Sequence, residues 1–100
     1  MIWFEWDPAK ARSNRRKHGI SFAIAQHAFS DPDALSEQDR IEGGERRWQT
    51  LGHVDGVLLL LVVHTVQNDG YDEIIRIISA RRADRKERKR YEKERQKNYG

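Results

Sequence analysis

An α+β fold, with two N-terminal helices and a basic C-terminal helix packed on a mainly antiparallel sheet of about four to five strands, is predicted by three features of the 100-residue chain. The chain opens with an aromatic, strand-like run that breaks into helix signals at an Asp-Pro pair. After residue 33 the hydrophobic period changes from that of a helix to that of strands separated by Asp-Gly turns. The last residues are a charged run of strong helix formers. A single domain over residues 1–100 holds all three, and a chain of this length buries roughly 60–65% of the surface it exposes when unfolded.

In "IWFEW", Ile2 to Trp6, β-branched and aromatic residues favour a strand. Asp7 can cap a helix that Pro8 opens. "AKARSNRRKH" carries that helix to Gly19, which suits the left-handed C-terminal cap, and Lys17 and His18 complement the dipole in the last turn. Ser21 caps a second helix, "FAIAQHAF", in which Phe22, Ala25 and Phe29 recur at helical spacing and should face the core until "DPD" at 31–33 ends it. "ALSEQ" reads as a short edge strand and "DRIEGGE" as a loop or hairpin tip. "RRWQTLGHV", Asp55-Gly56 and "VLLLLVVHTV" form a hairpin signal, because Asp-Gly suits a two-residue type I′ turn. "NDG" at 68–70 then turns the chain into "DEIIRIISA". The strands at 57–66 and 73–80 are apolar on both faces, which predicts central strands covered by helices. The tail, about 82–97, offers Asp84–Arg88 and Arg90–Glu94 pairs at i,i+4, yet its apolar residues are only Ala83 and Tyr91, so it has almost no core face.

Composition excludes several classes of function. With no cysteine there is no disulfide, thiolate nucleophile or cysteine zinc site, and an unstapled small fold fits a reducing cytoplasm. The longest apolar run, Val57 to Val63, falls far short of the roughly 20 residues that span a bilayer, which predicts a soluble protein without membrane contact. Charge is unevenly placed: residues 1–80 carry 9 Lys and Arg against 12 Asp and Glu, and residues 81–100 carry 10 against 4. A basic segment on a slightly acidic body is the footprint of a polyanion or an acidic protein partner.

Candidate sites follow from residues whose chemistry does not suit their place in the pattern. In "RIISARRAD", strict alternation puts Arg76 on one face with Ile74, Ile78 and Ala80, where it must be paired, with Glu5 or Asp7 for example, or line a cleft. Arg81 and Arg82 stand at the strand end, so a phosphate would meet three guanidinium forks there. In "ERRWQTLG", Trp48 either packs in the core with its N–H paired or, with Arg47, stacks an unpaired base. His64, near the end of an apolar strand, is either a satisfied core histidine or a general acid or base. Lys17 and His18 form a cationic helix end that can reach a phosphate, whereas His27 and His53 read as surface residues. No histidine pair has metal-ligand spacing with a nearby acid, and no nucleotide-binding or nucleophile-elbow motif is present, which predicts no metal and no cofactor. Arginine, lysine, histidine and carboxylates suffice for metal-free RNA cleavage, in which a 2′-OH attacks the neighbouring phosphate and arginines stabilise the developing charge.

The blocks "FEWDPAKARSNRRKHGISFAIAQHAFSDP", "GGERRWQTLG" and "RIISARRADRKERKRYEK", in this order, resemble the BrnT family, toxins of bacterial type II toxin–antitoxin systems. The resemblance covers nearly the whole chain. It implies a RelE-like ribonuclease fold and an endoribonuclease that blocks translation and growth, which the residue chemistry above makes metal-independent. It further implies neutralisation by a BrnA-like antitoxin, two toxins with two antitoxins, and contact with operator DNA only through the antitoxin. Arg81 of "ISAR" and Arg47 before the tryptophan are the positions it marks as catalytic or RNA-binding, to which the residue patterns add His64 and Arg76. Trp48, Arg82, Arg85, Lys17 and His18 complete the expected RNA-binding set. "EWD…K…N…KHG", here Glu5, Trp6, Asp7, Lys10, Asn14, Lys17 and His18, also matches, and is open to a structural role tying the first strand to the first helix. The competing reading is a module without catalysis whose basic C-terminal helix grips nucleic acid or the antitoxin.

Overall fold

The local signals at the first helix act as read. In the computed structural model, which describes residues 1–99, the Asp7 carboxylate accepts from the Ala9 N–H at 2.8 Å and Gly19 closes the helix in the left-handed region at φ 73°. The elements are β1 (Ile2–Glu5), α1 (Pro8–His18), α2 (Phe22–Ala25), a 3-10 turn (Gln26–Ser30), β2 (Leu35–Glu42), β3 (Glu45–Val54), β4 (Leu58–Asp69), β5 (Asp72–Arg82) and α3 (Arg85–Tyr99). The second helix is thus shorter than its sequence pattern suggests: after one turn it tightens to 3-10 geometry, burying Phe22, Ala25 and Ala28 and leaving Phe29 partly buried.

One five-stranded sheet has the order β1-β5-β4-β3-β2, antiparallel except for the β1–β5 pair. The β3–β4 turn is type I′ in kind: Asp55 (φ 55°) and Gly56 (φ 70°) are both left-handed, and the Val57 N–H donates to the Val54 carbonyl at 3.2 Å. β2 is longer than the short edge strand expected and takes in most of the segment read as a loop. Its outward residues are polar because an edge strand buries little, and all but Leu35 are exposed.

Alternation along β4 separates two cores. Leu60 and Val62 join Ile20, Phe22, Ala25, Ala28, Val54, Ile75, Ile77 and Ala80 beneath α2 and the 3-10 turn. Leu59 and Leu61 join Leu51, Ala83 and Tyr91 on the opposite side, under α3. α3 therefore has a core face after all, narrow but closed: Tyr91 is 2% exposed and its hydroxyl donates to Asp31 at 2.6 Å. Neither intrahelical pair read from the tail is among the ion pairs of the described residues. Arg90 instead reaches Glu37 at 3.4 Å and Arg95 reaches Asp33 at 3.5 Å, both across to the body of the domain.

A bulge in β5 corrects the face assigned to Arg76. The register runs Val63–Ser79 and then His64–Ile77, so Ile78 is an extra residue and alternation reverses on crossing it. Ile75, Ile77 and Ala80 consequently all enter the larger core, while Arg76 points to the α3 side with Ile74. Beyond β1, the free edge of β5 is completed by a side chain: Asn14 of α1 donates to the Ala80 carbonyl at 2.8 Å and accepts from the Ala80 N–H at 3.1 Å. Asn14 in the "EWD…K…N…KHG" block is in this way a structural tie.

Candidate nucleic-acid interface

Where α3 stops covering the sheet, a row of polar side chains crosses it. Glu5 of β1 pairs in register with Arg76 of β5, which pairs with Thr65 of β4, and Arg47 of β3 follows on the residue before the Trp48–His64 pair. Residues directly opposite share a face, so Arg47 and Arg76 meet on the α3 side. With Glu5, Trp6, Asp7, Lys10 and Glu45 they line a cleft of about 560 Å³.

The charges in this cleft are matched, three carboxylates against three cations. An Arg76 Nη2–H donates to Glu45 Oε1. Arg47 is held more tightly by packing than by pairing: its side chain is only 13% exposed, and it lies 3.9 Å from both Glu42 and Glu45. Its Nε–H is buried with no hydrogen-bond partner on the protein. A buried donor on a cation that lacks an acceptor costs on the order of 1–3 kcal/mol, and an anionic oxygen arriving from the cleft would relieve it.

Arg81 shares this face but not this cleft. It stands opposite Leu61, four positions along β4 from the Thr65 level of Arg76, which is about 13 Å of strand. Glu87, in the first turn of α3, grips its guanidinium with both oxygens, at 2.8 and 2.9 Å. That bond pushes Arg81 up and holds the Glu87 carboxyl below the usual carboxylate range, so both stay charged. Glu87 also closes a capping box, accepting from the Asp84 N–H at 2.9 Å while its own N–H donates to Asp84 at 2.8 Å. Arg82 pairs with Leu60 and is directed to the opposite face. The convergence of Arg76, Arg81 and Arg82 expected at the strand end is therefore corrected: twist, alternation and the bulge separate them, and Arg47 takes the place beside Arg76.

The remaining expected residues fall elsewhere. Trp48 is opposite His64, on the other face from Arg47, lining a separate cleft of about 430 Å³ with Arg46, Ile41 and Val66. His64 is a core residue: it is 3% exposed, its Nε2 shares a 2.8 Å hydrogen bond with the Thr50 hydroxyl while its Nδ1 is buried without a hydrogen-bond partner, and its ring meets Phe29 edge to face at 4.8 Å. Burial lowers its pKa to about 4, so it is a neutral imidazole near neutral pH, out of reach of a ligand in the Arg47–Arg76 cleft. Lys17 and His18 line a smaller cleft of about 190 Å³ at the β5 edge, which Lys10 joins to the first. Arg85 is exposed at the start of α3. His53, read as a surface residue, instead packs against the Tyr91 ring at 4.9 Å, and its N–H donates to Asp31 at 2.8 Å. Burial alone would raise the Asp31 carboxyl, but hydrogen bonds from His53, Tyr91 and Asp33 outweigh it and leave it lowered.

Two carboxylates central to this geometry, Glu45 and Glu87, were not singled out from the sequence. Asp84-x-x-Glu87 is a capping-box pattern and signals Glu87 locally. Glu45 reaches Arg76 across 31 residues and has no local signal.

A family model described as the ribonuclease toxin BrnT of type II toxin–antitoxin systems matches residues 6–87. The crystal structure of the Brucella abortus ribonuclease toxin BrnT is similar at a TM-score of 0.62, over 85% of this chain and 99% of that one, with 23% identity. At that identity the likeness is one of fold. No curated protein matches the chain.

Proposed function

The chain belongs to the BrnT family of ribonuclease toxins of type II toxin–antitoxin systems, and from that premise we propose that it is a metal-independent endoribonuclease acting at the Arg47–Arg76 cleft. The observation that carries the site is the buried, unpaired Nε–H of Arg47, a residue that lines the cleft together with Arg76, Lys10 and three carboxylates. In this reading a phosphate displaces Glu45 from Arg76 and takes hydrogen bonds from both guanidiniums, which then stabilise the charge that grows on the phosphorane. Glu45, freed beside the phosphate, removes the 2′-OH proton. The 2′ oxygen forms its bond to phosphorus as the bond to the 5′ oxygen breaks, and Lys10 on the opposite wall protonates the leaving 5′ oxygen. The products are a 2′,3′-cyclic phosphate and a 5′-hydroxyl. Arg81, unclamped from Glu87, holds a phosphate further along the strand.

A toxin of a type II system implies an antitoxin. We assign a BrnA-like protein to that place, two copies with two toxins, reaching operator DNA where the toxin does not, and we assign inhibition of translation and growth to the free toxin. A RelE-like architecture agrees with helices before a mainly antiparallel sheet. Expression without an antitoxin tests the reading: the wild type should arrest growth and deplete cellular RNA, while Arg47→Ala and Arg76→Ala, each accumulating as folded protein, should not. Growth arrest by both variants would remove the cleft from the account.

One observation favours a second reading, a binding module without catalysis. The cleft is charge-balanced and Arg81 is already gripped by Glu87, which leaves the exposed cations of the basic C-terminal helix as the surface that would bind. That module would bind RNA with strong salt dependence and release no product.

A further inference from the structure

α3 divides its cations between two faces. On the inner side Arg90 and Arg95 are spent on Glu37 and Asp33, and with Tyr91 on Asp31 they fix the rotation of the helix on the sheet. On the outer side Arg85, Lys86, Lys89 and Lys93 are exposed and take part in no ion pair among the described residues. At 3.6 residues per turn these four fall within about 100° of arc, with Arg85, Lys89 and Lys93 in a line spaced about 6 Å apart. The three acids of the helix lie off that arc: Glu87 is committed to Arg81, Glu94 to Lys97, and Glu92 follows the rim. No apolar side chain interrupts the stripe.

A protein-docking surface would need an apolar or aromatic centre and would be poor in lysine. A surface that is polar, positive and linear has the complementary chemistry of a phosphodiester backbone. The family match ends at residue 87, within the first turn of this helix, so Arg85 and Lys86 fall inside it and Lys89 and Lys93 beyond it. The helix itself starts four residues after Arg81, which stands at the end of the sheet face that holds the Arg47–Arg76 cleft.

We infer that the outer face of α3 binds the phosphates of the RNA strand that leaves the cleft past Arg81, adding affinity without base specificity; the choice of RNA as occupant rests on the ribonuclease reading. The test uses full-length protein and a 2′-O-methyl RNA, which cannot be cut by its own 2′ oxygen, with affinity read by fluorescence anisotropy between ~50 and ~200 mM salt. Lys86→Gln/Lys89→Gln/Lys93→Gln should flatten the slope of log K against log salt by about 2, at ~0.7 per single-strand phosphate contact, and Lys86→Arg/Lys89→Arg/Lys93→Arg should keep the wild-type slope. An unchanged slope in the glutamine variant overturns the inference, as does tighter binding of the stripe to duplex DNA of the same sequence. Cleavage of unmodified RNA by the wild type is scored separately. Cleavage with an unchanged slope removes the stripe alone, and a flattened slope without cleavage removes the ribonuclease reading while leaving phosphate binding by α3 in place.

Discussion

Glu87→Gln should strengthen RNA binding, because it releases Arg81. The Arg81 side chain is 38% exposed and that of Glu87 14%, so the pair sits between a surface and a covered ion pair. Exposed pairs contribute about 0.2–1 kcal/mol, and a bidentate, charge-assisted geometry roughly doubles that. A phosphate that recruits Arg81 must first break this bond. Removing the competitor should therefore return about 1.4 kcal/mol, close to a tenfold gain in affinity. The amide oxygen of glutamine can still accept from the Asp84 N–H, so the capping box survives and folding should lose only about 1 kcal/mol. Affinity for a 2′-O-methyl RNA and urea unfolding of the same samples measure both quantities. Arg81→Ala/Glu87→Gln should show no gain over Arg81→Ala, since the effect passes through Arg81. Because Arg81 holds the Glu87 carboxyl below its usual range, the clamp persists in mild acid and the wild type should not mimic the variant there. Unchanged or weaker binding by a folded Glu87→Gln would refute the clamp.

Three further outcomes follow from the packing. Burial depresses the His64 pKa to about 4, so the unfolded chain binds the extra proton first and stability falls as pH drops below the ordinary histidine value; urea titrations should lose about 2 kcal/mol between about pH 7 and about pH 5, and His64→Gln should flatten that dependence. Tyr91→Phe removes a donor to a carboxylate and should cost about 1.5–3 kcal/mol by chemical denaturation, with Tyr91→Ala at roughly 3–5 kcal/mol because it also empties the core beneath α3. A Cβ at Gly52 would strike the backbone carbonyl of Ala28, so Gly52→Ala should lower stability by about 1–3 kcal/mol or more and loosen the 3-10 turn on β3, visible as faster amide exchange there.

The parts of the fold that could be read from the chain are those specified within a few residues. Asp7-Pro8 and Gly19 bound α1 through caps, Asp55-Gly56 sets the hairpin by its φ angles, and the doubly apolar β4 and β5 lie centrally because no other place hides both faces. The site was legible as a composition of arginines but not as a geometry. One extra residue at Ile78 reverses the faces of β5, and such a bulge is specified by what packs on either side rather than by the residues themselves. Arg76 finds Glu45 on β3 rather than Glu5 or Asp7, the acids expected as its partners, because Glu45 crosses from two strands away. His53 looked exposed because it flanks a turn, and it is covered only when Tyr91 arrives from the far end of the sequence.

Incubation of the purified, antitoxin-free chain with a mixed-sequence RNA in excess EDTA, beside Arg76→Ala, followed by mapping of the new ends, tests the central claim most directly. The account predicts 2′,3′-cyclic phosphate and 5′-hydroxyl ends from the wild type and intact RNA from the variant. Cleavage that requires added magnesium, or that leaves 3′-hydroxyl and 5′-phosphate ends, would contradict it.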